Sequence, residues 1–156
     1  MATLTGTIQI LGSDTAVVDS SAKHIVGTRA VDEDGNEYIY ALGVASTAAG
    51  NWVSFDEDLV TIRLTANAVG RVGIAMAAII ASTYGWYQIY GKNEIASSDS
   101  TVLADKQLYI DGTAGRVDDA DSAGDTVIGA ISRSSATSNV ITVEINYPHV
   151  NNVEID

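Results

Sequence analysis

The chain has 156 residues, enough for one domain with its own core, and 46% of them are hydrophobic. It contains no cysteine, which excludes disulfides, thiol catalysis and thiolate metal sites. The formal net charge is −12, from 20 acidic and 8 basic residues, and the basic residues are scattered singly along the sequence. Because nucleic-acid binding requires clustered cations, this charge pattern predicts neither a nucleic acid nor an anionic membrane as a partner.

The first 22 residues are polar apart from one short alternating run, residues 6–10, and we predict that residues 1–22 form an extended N-terminal arm that reaches a neighbouring molecule; a disordered tail without a role is the alternative. The segment has no basic region followed by an apolar block, so it is not predicted to be a signal peptide. No run of about 18 apolar residues predicts a membrane span. The arm's candidate contacts with a neighbouring molecule are its apolar residues Leu4, Ile8 and Ile10.

A β domain is predicted over residues 23–148, because short alternating or β-branched runs recur through it. In residues 141–147 the odd positions are apolar, whereas Thr142, Glu144 and Asn146 are polar. Turn residues such as Asp34-Gly35 separate these runs. Many short strands with tight turns are typical of a compact antiparallel β-barrel or β-sandwich, the fold class that we predict. The other predicted strands span residues 6–10, 38–42, 60–65, 86–90, 107–110, 116–118 and 126–132.

Three segments have a less certain pattern. Residues 66–81 are rich in Ala and Ile and fit either a helix or a strand, but Gly70 and Gly73 favour a buried strand around residues 71–79. Residues 99–106 are compatible with a short helical turn. Pro148 is predicted to end the last strand, which leaves residues 149–156 as a loose C-terminal tail.

Catalytic motifs are missing from the sequence. The two histidines, His24 and His149, have no partner at zinc-ligand spacing, and no nucleophile elbow or phosphate-binding loop is present. We therefore predict no catalytic residue, no cofactor and no metal site.

Two acidic loops leave an alternative open. Each could hold calcium with its carboxylates, or each could need Asp and Gly for the backbone of a turn. The first loop contains Asp32, Asp34 and Asn36, and the second contains Asp118, Asp119, Asp121 and Asp125.

The aromatic residues Tyr38, Tyr40 and Trp52 are a candidate protein interface, because aromatic side chains concentrate at binding hot spots. The alternative is that the three rings pack in the core.

Four segments resemble a known family in their order along the chain. They are Tyr-Gly-Trp-Tyr-Gln-Ile-Tyr-Gly beginning at Tyr84, Gly-Arg-Val-Asp-Asp-Ala at Gly115, Asp-Thr-Val-Ile-Gly-Ala at Asp125, and Val-Glu-Ile-Asn-Tyr-Pro at Val143. This order is similar to that of the small head decoration, or cement, proteins of tailed bacteriophages. The resemblance covers roughly residues 65–150, somewhat over half of the chain.

The resemblance implies a virion structural protein without enzymatic activity. Such a protein is synthesised in the host cytoplasm and lies on the outer surface of the icosahedral capsid, where it bridges and stabilises major capsid protein subunits. It implies a homo-oligomer, and we expect a trimer ahead of a dimer. A carbohydrate-binding or adhesive β module of a tail fibre or spike is the main alternative, and a small hydrolase that uses paired acids is a more distant one.

Overall fold

The longest strand among the described residues, Tyr84–Ser97, runs through the centre of a single large sheet. A computed structural model describes residues 14–121 and 124–152, together with the backbone of residues 9–10. These residues contain eleven strands and no helix, which confirms the predicted all-β fold class. The strands are β1 Gln9–Ile10, β2 Arg29–Val31, β3 Glu37–Leu42, β4 Trp52–Phe55, β5 Thr61–Arg63, β6 Gly70–Ala75, β7 Tyr84–Ser97, β8 Gln107–Ile110, β9 Val117–Asp118, β10 Thr126–Ser132 and β11 Val140–Val150.

The sheet has the strand order β1-β2-β3-β7-β6-β11-β10-β8-β9, and β4 and β5 join it through β6. Every pairing between these strands is antiparallel except that of β1 with β2. The two longest strands, β7 with 14 residues and β11 with 11, each pair with three other strands. Each of these two strands bends, and the strands with which it pairs differ from one part of its length to the next.

The bends lie side by side in three adjacent strands. Gly91 in β7, Gly129 in β10 and Tyr147 in β11 have φ values of +100°, +81° and +46°. Gly91 faces Ile145, and the register of β10 against β11 shifts between Ile128 and Ala130. Irregularities of this kind bend a strand and increase its twist. We call Gly91, Gly129 and Tyr147 the bend line.

The bend line divides the sheet into two halves. On one side β3, β7, β6, β4 and β5 lie next to one another, and on the other side β7, β11, β10, β8 and β9 do. In each half the sheet curls until two segments that are far apart in the strand order meet at a single parallel β-bridge. The bridge joins Leu42 to Val60 in the first half and Ser98 to Val117 in the second. Because these are isolated bridges and not ladders, the sheet curls without closing into a barrel.

Strand β4 lies between two core clusters. Trp52 packs into the larger one with residues of the second half, whereas Val53 and Phe55 pack into the interior of the first half. All four residues of β4 are buried, although the side chains of a strand point alternately to its two faces. Burying a large apolar side chain completely stabilises the fold by about 1.5–3 kcal/mol, so this strand contributes to both cores at once.

The predicted end of the last strand at Pro148 is wrong. Strand β11 continues to Val150, with His149 facing Arg71 and Val150 facing Gly70 of β6. Proline is tolerated here because it follows directly on the bend at Tyr147. His149 and Val150 thus belong to the sheet and not to a loose tail, while residues 153–156 lie outside the described residues.

The ambiguous segments contain no helix. Residues 66–81 hold strand β6, Gly70–Ala75, which is the predicted buried strand in a shorter form. Residues 99–106 form turns without a helical segment.

The N-terminal arm lies mostly outside the described residues, and so do Leu4, Ile8 and the side chain of Ile10. The backbone of Ile10 pairs with Val31 at the edge of β2. Asp19, which the sequence assigned to the arm, is anchored to the β domain. Its backbone exchanges two hydrogen bonds with Tyr84, at 2.9 and 2.8 Å.

The buried carboxylate of Asp19 accepts a 2.7 Å hydrogen bond from the Tyr40 hydroxyl and lies 2.9 Å from Lys23 Nζ. The hydrogen bonds from Lys23 and from Tyr40 lower the pKa of Asp19. The structured domain therefore begins before residue 23.

Gly91→Ala is expected to lower the free energy of unfolding by about 2–3 kcal/mol, because a Cβ there would meet Asn36 and the positive φ disfavours alanine. Gly35→Ala is the matched control: its φ is also positive but nothing lies nearby, so a loss of about 1 kcal/mol is expected. Urea denaturation of the two variants measures the difference. Equal losses would show that the bend at Gly91 does not depend on close contact with Asn36.

Asp19→Asn is expected to cost about 1–3 kcal/mol near neutral pH, because a buried charge-assisted network is broken. A carboxyl with a lowered pKa contributes stability above its unfolded pKa of about 3.9 and loses it as the pH falls through the lower folded value. The gap between wild type and variant should therefore be constant above about pH 5 and shrink below about pH 4. Urea titrations across pH test this, with Asp58→Asn as the exposed control; a gap that stays unchanged throughout the acid range contradicts it.

Candidate functional site

The three aromatic residues predicted at an interface lie in the interior. Trp52 and Tyr40 are fully buried and Tyr38 is nearly so. Their polar atoms are satisfied within the chain: Trp52 Nε1 donates to the Ser97 carbonyl oxygen at 3.1 Å, and the Tyr38 hydroxyl donates to Asp32 at 2.8 Å. Burial, with the hydrogen bond to Asp19, raises the pKa of Tyr40 to about 12. The three rings therefore pack in the core, as the alternative predicted, and do not form an exposed interface patch.

A different pair of aromatic rings is exposed at the bend line. Tyr90 and Tyr147 expose 39% and 44% of their surface, and their ring centroids lie 5.2 Å apart. The Tyr147 hydroxyl donates a 2.8 Å hydrogen bond to Glu37 Oε2, and this bond to a carboxylate raises the pKa of Tyr147. The Arg29 guanidinium lies over the Tyr147 ring, 5.7 Å from its centroid. We call Tyr90 and Tyr147 the tyrosine pair.

Beyond the bend, one face of the sheet is open to solvent. The register places Gln107, Ile131, Glu144 and Lys92 in one row across β8, β10, β11 and β7. Arg133, just after β10, reaches Glu144 Oε2 at 2.8 Å with one nitrogen and Asp105 at 2.9 Å with another. This outer face thus carries charged, amide and apolar side chains in fixed rows.

Three clefts of about 640, 380 and 240 Å³ meet on this face. The first two share Tyr90, Gly91 and Lys92, and the last two share Glu144 and Asn146, so together they form a continuous groove. Two residues of the bend line, Gly91 and Gly129, are in the lining of the groove.

Buried amides hold the wall of the largest cleft in place. Asn93 Nδ2 donates to Gln88 Oε1 at 2.8 Å, and both side chains are almost fully buried. Gln88 Nε2 donates in turn to the carbonyl oxygens of Tyr90 and Lys92. From the opposite side, Asn36 Oδ1 accepts a 2.9 Å bond from the Lys92 amide. The backbone that presents Tyr90 and Lys92 is therefore fixed before any ligand arrives.

The first acidic loop is a turn organised by its own carboxylate. Asp32 accepts hydrogen bonds from the amides of Asp34 and Asn36, from the Asn36 side chain and from the Tyr38 hydroxyl. Burial raises the pKa of Asp32, but the hydrogen bonds outweigh it and hold the pKa below its ordinary value. In this loop Asp32 thus serves the backbone of the turn, with Gly35 at φ +84°.

In the second loop, burial raises the pKa of Asp118, whose Oδ1 accepts a 3.1 Å bond from the Ala120 amide. Within residues 14–121 and 124–152, no three His, Cys, Asp or Glu side chains are grouped so that they could hold a metal ion. His24 lies against Tyr40 and Trp86, with ring centroids 5.1 and 5.3 Å away.

The chain matches no family model, no curated protein and no solved structure at a significant level. In the part of the chain that the structure describes, no helix has the length and apolar character needed to span a membrane. The description of the site therefore depends on its own geometry.

The alternating pattern did not reveal the tyrosine pair. It placed Tyr147 on the same face as three apolar residues that are indeed buried, namely Ile141, Val143 and Ile145. The positive φ at Tyr147 interrupts the alternation of side chains between the two faces of the strand, so that residues 146 and 147 are both exposed. The local signals were Gly91 directly after Tyr90 and Pro148 directly after Tyr147, since glycine and proline both interrupt regular strands.

Proposed function

We propose that this chain is a virion structural protein that decorates the outer surface of an icosahedral phage capsid and bridges major capsid protein subunits. The observation that carries the proposal is the exposed, pre-ordered tyrosine pair at the bend line. The resemblance to head decoration proteins supports it, because the resembling segments contain β9 and large parts of β7, β10 and β11. Those are strands of the second half of the sheet, and three of them form the bend line.

The tyrosine pair has the properties of a protein-binding hot spot. Tyrosine and arginine are enriched among the residues that contribute most to binding energy, and here Arg29 lies against Tyr147. The ring contact with Tyr90 and the hydrogen bond to Glu37 already restrict the Tyr147 side chain. Little side-chain entropy is then lost on binding, which favours affinity.

The net charge fits a protein that coats a particle in many copies. A charge of −12 on each copy keeps coated particles apart in solution. The homo-oligomer, with a trimer ahead of a dimer, stays a prediction.

A carbohydrate-binding or adhesive module is the second candidate, because of the groove on the outer face. An exposed ring of Tyr90 beside the polar side chains of Asn146 and Glu144 provides a stacking surface and hydrogen-bonding groups in one cleft. This candidate predicts binding to glycans, which capsid decoration does not require.

Co-sedimentation with purified, undecorated phage heads tests the main proposal. The wild-type protein should pellet with the heads, and Tyr90→Ala combined with Tyr147→Ala should weaken binding by at least about tenfold, as expected when hot-spot residues are removed. Leu103→Ala is the control, since Leu103 is an exposed apolar side chain that lines none of the clefts. Thermal melts verify that all variants fold.

Wild-type protein that pellets with no head preparation would contradict capsid decoration. Binding of the same protein to a glycan array, lost in the tyrosine variant, would favour the adhesive module instead.

A further inference from the structure

A small cleft of about 50 Å³, separate from the groove, has Tyr147 of the bend line and residues of the first half of the sheet in its lining. Buried apolar side chains of Ile39, Phe55 and Ile89 line it. Two exposed arginines, Arg29 and Arg71, line it as well, together with Tyr147. The cleft therefore combines apolar walls with two positive charges.

Both guanidinium groups are held by aromatic rings. Arg29 lies over Tyr147, and Arg71 lies 4.9 Å from the centroid of Phe55. Arg71 also donates a 2.8 Å hydrogen bond to the Asp56 carbonyl oxygen. Cation–π contacts orient the planar groups while leaving hydrogen-bond donors at their edges.

Neither arginine has an acidic partner within 4 Å among the described residues, whereas Lys23 and Lys92 each have one and Arg133 has two. The nearby acids are engaged elsewhere. The Asp56 carboxylate accepts from the amides of Asp58 and Val60, and Glu37 accepts from the Tyr147 hydroxyl. In a chain with 20 acidic and 8 basic residues, two arginines without a close ion pair thus line one cleft.

We propose that the cleft binds the carboxylate of an aspartate or glutamate presented by the protein partner. Arginine is suited to this role because its fork of N–H donors matches the two oxygens of a carboxylate. A water molecule needs about 10–15 Å³ of such space, so the cleft has room for about three to five water-sized atoms, which is enough for a carboxylate. The apolar walls strengthen the charge interaction by excluding water.

The occupant is an acidic segment of the capsid protein, because its carboxylate complements the two guanidinium groups of the cleft in charge and in hydrogen bonding. In naming the capsid protein, the inference rests on the proposed function, but the chemistry of the cleft can be tested without capsids.

NMR of the whole ¹⁵N-labelled protein tests the cleft directly, through the Nε–Hε signals of its arginines. Acetyl-Ala-Asp-Ala-amide should shift the Arg29 and Arg71 signals more than those of Arg63 and Arg116, which lie outside the cleft. Acetyl-Ala-Asn-Ala-amide, which lacks the charge, should leave all four signals in place. In the protein that combines Arg29→Gln with Arg71→Gln, the aspartate peptide should no longer shift the backbone amide signals of the other residues that line the cleft.

Equal shifts with the two peptides, or equal shifts at all four arginines, would overturn the inference. Inorganic phosphate is added as a separate titration; phosphate that binds more tightly than the aspartate peptide would identify a free-anion site and also overturn it.

Head binding distinguishes this inference from the proposed function. The Arg29→Gln, Arg71→Gln protein should bind undecorated heads about tenfold more weakly than the Arg63→Gln, Arg116→Gln control, with a smaller dependence on salt. If both proteins bind heads as wild type does, the inference fails and capsid decoration stands. If wild type binds the aspartate peptide but no heads, the carboxylate site stands and capsid decoration fails.

Discussion

The backbone of β7 and β11 leaves regular β geometry where the two strands face one another, at Gly91 and at Tyr147, and β10 does the same alongside at Gly129. At the bend in β7, its pairing with β3 and β6 ends and its pairing with β11 begins. The 2.9 Å hydrogen bond from the Lys92 amide to Asn36 Oδ1 ties the bend to the turn before β3. One line of unusual backbone therefore determines how the two halves of the sheet are placed and where the cores form.

The same line produces the exposed surface. The change of phase at Tyr147 turns its ring outward against Tyr90, while Pro148 returns the chain towards β6. Tyr90 lines the groove, and Tyr147 lines the cleft of Arg29 and Arg71, where it lies against Arg29. Hydrogen bonds of Gln88, Asn93 and Asn36 fix the neighbouring backbone, so the surface is ordered before binding.

Local patterns predicted the strands but not the surface. The strands over residues 107–110 and 126–132 and the buried face of residues 141–145 followed from alternation and turn residues, which depend on near neighbours. Alternation assigns a face only while the backbone stays regular, so it failed at Tyr147. The burial of Trp52 depends on β4 lying between two clusters built from distant strands, which no local pattern reports.

The backbone conformation of Tyr147 in solution, and the contact of its ring with Tyr90, test this account most directly. In NMR spectra of the labelled protein, we expect Tyr147 to show a strong intraresidue cross-peak between its amide proton and Hα, and scalar couplings that correspond to a positive φ. Cross-peaks between the ring protons of Tyr147 and Tyr90 are expected as well. An extended φ at Tyr147 with its ring protected from solvent, and no contact with Tyr90, would contradict it. The bend line would then not exist in the form described, and neither would the surface built on it.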